Sequence, residues 1–250
     1  MKRVFVATFI IFFLCTVFAS CSSVGDETEI NDSDLEISGT NMQEWMHTEC
    51  SKDYVTEFMS ILGTVKGEGL LSGYDFDEEH CYNVTPSAVS MSTDIKIFKF
   101  SDSCVSLALI DGEVFEICPS FGGYGFFNAV PWDYDEDGTT DLLIASSWGS
   151  GMHRSEISVF NAKTKQSTVI CTSLEAGNRN TDHDWFVATQ SPSSYTGDPK
   201  EMPIFYVVYS AEMKSGDSLV DLSYLAKSCV GSIDLEDGTP VFHPYKASEE

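Results

Sequence analysis

Residues 131 to 144 constrain the fold of this chain more than any other stretch. Asp133, Asp135, Asp137 and Asp141 stand at the first, third, fifth and ninth positions of a loop, with Gly138 at the sixth, and Leu142-Leu143-Ile144-Ala145 follows directly. Carboxylates spaced this closely repel one another unless a cation is held between them. Oxygen ligands at alternate positions, with the Thr139 backbone carbonyl as a fifth, suit a hard cation that collects six or more oxygens, and Gly138 permits the sharp turn. The spacing predicts a Ca2+ loop on a β-hairpin; a solvated turn without an ion is the simpler alternative. An EF-hand would need a bidentate glutamate at the twelfth position, where Ile144 stands, so a helix–loop–helix arrangement is excluded.

The run looks like the loop of FG-GAP and VCBS-type repeats, the blades of integrin-like β-propellers. Upstream, Phe121-Gly122-Gly123-Tyr124-Gly125 supplies the aromatic–glycine element, and downstream Ala145-Ser146-Ser147 replaces the Gly-Ala-Pro of the family name. The likeness covers residues 121 to 161 and occurs once, whereas a propeller needs several blades. It implies a blade-like hairpin and its Ca2+ ligands. The longer phrase, through Ser147-Trp148-Gly149-Ser150-Gly151-Met152-His153-Arg154-Ser155 to Phe160, also resembles a set of uncharacterised exported bacterial proteins, which implies an address and no chemistry.

The N-terminus supports that address. Met1-Lys2-Arg3 precedes an uncharged stretch from Val4 to Ala19 and then Phe18-Ala19-Ser20-Cys21, the pattern of a secretory signal. The apolar stretch is shorter than the roughly 20 residues of a spanning helix. Cys21 after Ala-Ser resembles a bacterial lipobox, in which the cysteine is acylated, although Phe18 stands where leucine is usual. The organisation expected is a lipoprotein signal peptide over 1–20, an acidic disordered tether over 21–40, and one mostly β domain over 41–250. Asp26, Glu27, Glu29, Asp32, Asp34 and Glu36, with no basic residue among them, keep the tether unfolded. A net charge of −25, more acidic still once Lys2 and Arg3 are removed, argues against nucleic acid as a partner.

Of eight cysteines, Cys15 falls in the signal and Cys21 is the lipidation candidate. The other six are Cys50, Cys81, Cys104, Cys118, Cys171 and Cys229, and they allow 15 pairings. Free buried thiols are the alternative. One pairing follows from hairpin geometry. A three-residue loop at Ile110-Asp111-Gly112 puts Leu107 opposite Phe115 and Cys104 opposite Cys118, whereas a two-residue loop at Asp111-Gly112 sets Leu107 against Glu116. Because the buried face fixes register, the first arrangement and a Cys104/Cys118 pair are expected.

Tyr54, Phe58, Ile61 and Leu62 lie at helical spacing, predicting one N-terminal amphipathic helix over Asp53 to Val65. Beyond Gly69 the pattern turns to strands. Ile95 to Phe100 alternates, and further candidates are Phe126 to Val130, Asp141 to Ser146, Glu156 to Asn161, Ser167 to Cys171, Trp185 to Thr189, Pro203 to Ser210 and Val230 to Leu235. The last closes through Asp237-Gly238 into Val241-Phe242. Turn signals this frequent indicate a mostly β (α+β) fold, an antiparallel meander that is propeller-blade-like or a sandwich.

Other candidate sites are less specified. Trp148, Ser150, His153 and Arg154 surround a glycine-rich bend, where Arg154 can clamp a carboxylate or sulfate. Asp182-His183-Asp184-Trp185 offers metal-ligand types but reads more simply as a polar loop entering a strand. Trp132, Trp148, Tyr124 and Phe127 are either sugar-stacking aromatics or core. No catalytic set can be chosen among 39 acidic residues. The expected function is a lipid-anchored, extracytoplasmic Ca2+-binding domain with a non-catalytic role at the cell envelope. Its partner would be the membrane through the lipid anchor, with a glycan or an envelope protein as ligand. The alternative is a surface glycan-binding module or hydrolase using the 148–154 loop.

Overall fold

The computed structural model describes residues 45–65, 74–149, 154–173, 184–189, 205–215 and 219–244. The signal-like start, Cys21, the tether, Ser150, His153, Asp182 and His183 lie outside the described residues. The fold is mostly β, with antiparallel sheets that do not close into a barrel.

Three sheets follow one another along the chain. The first joins β2 (Cys81–Asn83), β3 (Lys96–Phe100), β4 (Ser103–Ile110) and β5 (Glu113–Glu116) in sequence order. A middle sheet joins β6 (Gly125–Trp132), β7 (Asp141–Trp148), β8 (Arg154–Asn161) and β9 (Gln166–Thr172), again in order. The last runs β10 (Trp185–Thr189), β11 (Phe205–Ser215), β12 (Leu222–Glu236), with β13 (Thr239–Pro244) and the short β1 (Trp45–His47) both pairing with β12. Helix α1 (Val55–Val65) and the short α2 (Ser87–Ser92) complete the described elements.

The sheets stack face to face. Leu142, Ile144 and Phe160 of the middle sheet meet Ile97, Ala108 and Ile110 of the first. On its other face, Phe127, Leu143, Ala145 and Val159 meet Trp185, Phe186, Val187 and Ile233 of the last. Alternation explains both contacts, since neighbours along β7 point to opposite faces and Leu142-Leu143-Ile144-Ala145 is apolar on each. Val55, Phe58 and Leu62 of α1 cover the outer face of the first sheet, where Phe58 stacks on Phe98 with ring centroids 4.0 Å apart.

The hairpin between β4 and β5 differs from the sequence expectation. Leu107 pairs with Glu116, Ala108 with Phe115 and Ile110 with Glu113, which leaves a two-residue turn at Asp111-Gly112. Both turn residues are left-handed, with φ of 53° and 79°, as a type I′ turn requires. That turn matches the right-handed strand twist, and it prevails over the matching of apolar faces. Cys104 and Cys118 are therefore out of register, and both thiols are free. Glu116 is tolerated opposite Leu107 because it ends its strand, half-buried, beside an open groove.

Candidate metal centre

The acidic loop links β6 to β7, and pairing of Trp132 with Asp141 closes its neck. Two left-handed residues, Glu136 at φ 55° and Gly138 at φ 82°, bend it back on itself. The amides of Asp137 and Gly138 donate to the two oxygens of Asp133, each at 3.1 Å, and the Asp137 amide also lies 3.3 Å from Asp135 Oδ1. Backbone donors thus hold the first two carboxylates in place.

Asp141 reaches the site from the start of β7. Its Oδ1 accepts the Ala162 amide at 2.7 Å, while Oδ2 has no hydrogen-bond partner although the residue is only 1% exposed. Asp133, Asp135 and Asp141 each offer one oxygen, and these atoms lie within 4.8 Å of one another. Burial pushes the Asp141 carboxyl up to about 6, and the charges of Asp135, Asp137 and Asp133 add to the rise while the Ala162 amide opposes it. A buried carboxylate oxygen without a partner, facing two further carboxylates, is an energetic liability that a bound cation removes. The donors are all hard oxygens, the kind that hold a hard divalent cation such as Ca2+, Mg2+ or Mn2+ and not a soft thiophilic metal.

Asp137 stands apart from this triad. Its Oδ2 pairs with Lys163 Nζ at 2.8 Å and its Oδ1 accepts the Thr139 amide at 2.7 Å. The lysine hydrogen bond, followed by those from Thr139, holds the Asp137 carboxyl down at about 2. Of the residues that the spacing predicts as ligands, the structure therefore gathers Asp133, Asp135 and Asp141. Asp137 is drawn to an ammonium, and Thr139 contributes its amide.

The turn between β8 and β9 supplies the residues that sequence reasoning missed. Asn161 Nδ2 donates to Asp135 Oδ2 at 3.1 Å, and its Oδ1 accepts the amides of Lys163 and Thr164 at 3.1 and 2.8 Å. Asn161 thus fixes its own turn and the Asp135 carboxylate together. Strand length was the available signal: β8 runs antiparallel to β7 and pairs Phe160 with Leu142, so the residues after it return to Asp141.

The other candidates resolve differently. Trp132 and Phe127 are buried core residues, and Tyr124 packs on Phe127 at 5.9 Å, so these rings form no exposed sugar platform. Trp185 is core as well. Arg154 lies over the Trp148 ring at 5.0 Å, and Arg154 Nε and Trp148 Nε1 are buried without hydrogen-bond partners. Every cysteine with a clear shift is driven upward, led by burial: Cys118 and Cys81 to about 12 and Cys50 to about 11. None of these thiols is poised as a thiolate nucleophile. No protein-family model, curated protein or solved structure matches the chain.

Proposed function

We propose that this chain is a Ca2+-binding, blade-like β domain with a binding role at the cell envelope, tethered through a lipid on Cys21. The observation that carries the metal reading is Asp141 Oδ2, buried and unpartnered beside Asp133 and Asp135. The order of strands supports the blade-like description, because each of the first two sheets is a four-stranded meander and they follow one another in the chain. The buried positions of Trp132 and Phe127 weigh against the glycan alternative.

Calorimetric titration of the purified protein with CaCl2 tests the metal reading. The expected result is one site per chain and a higher melting temperature with added Ca2+, with stabilisation of about 2.7 kcal/mol at a hundredfold excess over Kd. Asp135→Asn and Asp141→Asn should remove both effects while leaving the circular dichroism of the strands in place. A wild-type protein that takes up no heat and melts unchanged sinks the reading. For the anchor, Cys21→Ser should move the expressed protein from the detergent phase to the aqueous phase; an unchanged partition would reject lipidation.

A further inference from the structure

The hydrogen bonds inside the acidic loop limit how many ligands the chain can give a cation there. Asp133 Oδ1 and Oδ2 accept the amides of Asp137 and Gly138, Asp135 Oδ1 and Oδ2 accept the Asp137 amide and Asn161 Nδ2, and Asp141 Oδ1 accepts the Ala162 amide. Only the buried Asp141 Oδ2 is left without a donor. An oxygen that accepts an N–H keeps its other lone pair for a metal, so each of the three carboxylates offers one ligand atom. Asp137, the fourth acid of the spacing, is turned to Lys163 Nζ at 2.8 Å. Even with the Thr139 carbonyl added, a hard cation that takes about six to eight oxygens draws about two or more from outside the chain. They arrive from one side: Asp141, 1% exposed, lies beneath the site, while residues 135–138 at the tip of the loop are exposed.

Charge and hydrogen-bond type select what those outside oxygens belong to. Three carboxylates around a divalent cation leave a net negative charge, the Asp137–Lys163 pair adds none, and the exposed Glu136 adds another beside the site. The whole chain carries −25. A carboxylate or phosphate approaching the cation is therefore opposed by its surroundings. Such an anion also only accepts hydrogen bonds, and so do the carboxylates of Asp135, Glu136 and Asp137 around it. A neutral hydroxyl meets both conditions. Its lone pair goes to the cation, and its proton, made more acidic by the metal, is donated to a neighbouring carboxylate oxygen. Two hydroxyls on adjacent carbons deliver two oxygens for the loss of one molecule's freedom.

We propose, resting on the cation reading given above, that the loaded loop binds a neutral vicinal diol of the kind that sugars carry, with both hydroxyl oxygens on the cation and their protons shared with the loop carboxylates. Such a site needs no exposed aromatic platform and takes nothing from the 148–154 loop. It is a binding site: the cation and the carboxylates hold the diol, and no bond in it is broken.

The test uses the folded full-length protein loaded with Tb3+, whose luminescence lifetimes in H2O and D2O count the waters on the ion. The probes are methyl α-mannopyranoside, methyl β-galactopyranoside and methyl β-xylopyranoside, with acetate and the single-hydroxyl tetrahydropyran-4-ol as controls. The expected result is bound Tb3+ carrying about two or more waters, loss of about two of them to at least one glycoside with Kd below about 10 mM, and no such loss to either control. With CaCl2 the same glycoside should shift the NMR signals of residues 133–141, and with EDTA it should not. Lys163→Met, which frees Asp137 for the cation, should tighten the metal and weaken the glycoside by about threefold or more. If Tb3+ does not bind, the cation reading fails and the diol site with it. If Tb3+ binds with fewer than about two waters, if no glycoside changes the count, if acetate displaces water better than every glycoside, or if a glycoside binds equally well in EDTA, the cation reading stands and the diol site is overturned.

Discussion

Lys99 is fully buried between the first and middle sheets, and its Nζ donates to the Phe126 carbonyl at 2.8 Å. Ser106, its partner across the sheet, takes the Phe126 amide at 3.0 Å, so two side chains of the first sheet hold both backbone polar groups of one β6 residue. Burial lowers the Lys99 ammonium from 10.5 to about 7, with the nearby Cys118, Cys50 and Cys104 thiols opposing. The unfolded chain therefore binds a proton that the folded chain releases between these two values, and stability rises with pH across that window. Between pH 7 and 9 the gain should reach about 2 kcal/mol, and Lys99→Met should flatten it in urea melts. Above pH 9 the buried thiols of Cys81 and Cys118, raised to about 12, act in the opposite direction, since the unfolded chain then loses protons first. The sequence hid this residue in plain alternation. Ile95 and Ile97 put Lys99 on their own face, but Phe98 and Phe100 are apolar on the other, and only the stacking of a second sheet says that both faces are buried. Gly125 marks the same close approach, because at φ 69° an added Cβ would stand 2.1 Å from the Cys104 carbonyl oxygen. Gly125→Ala should cost more than 2 kcal/mol, against about 1 kcal/mol for Gly112→Ala, where nothing lies within 4 Å, on the scale of left-handed strain plus overpacking.

At the scale of the hairpin, the acidic loop and the turn that covers it form one device. Lys163 neutralises Asp137 while Asn161 steadies Asp135, so the proposed cation site has an ammonium beside it with which a metal would compete. Lys163→Met should raise Ca2+ affinity by about three- to tenfold, and Asn161→Ala should lower it by about tenfold, both read by calorimetry. The meeting of Asp133, Asp135 and Asp141 was legible in their spacing, because alternate positions of a tight loop turn inward. The diversion of Asp137 was not, since its partner lies 26 residues on and no local pattern joins them. The β4–β5 hairpin shows the reverse case. Asp111-Gly112 announced a two-residue turn, yet matching apolar faces gave the wrong register, because the left-handed pair fixes the turn and leaves Glu116 half-buried opposite Leu107.

For the whole molecule, the antiparallel, mostly β character was readable from strand lengths and turns, and the layering was written in one place. The unbroken apolar run after Asp141 cannot belong to a sheet with a wet face. Trp185 lies at the centre of the contact between the middle and last sheets, 1% exposed, and Trp185→Ala should lower stability by about 3 to 5 kcal/mol in a denaturant titration. The loop residues are flanked by Trp132, buried in that core, and by Leu142, buried in the other, so a cation bound in the loop as proposed would steady two interfaces together. The middle sheet, enclosed on both faces, also limits how such a chain can change over time. A residue gained or lost within β7 would turn every later side chain of that strand to the wrong neighbour, whereas the exposed tips at 135–138 and 163–164 can lengthen, shorten or acquire new sequence at the expense of the acidic cluster but not of a layer.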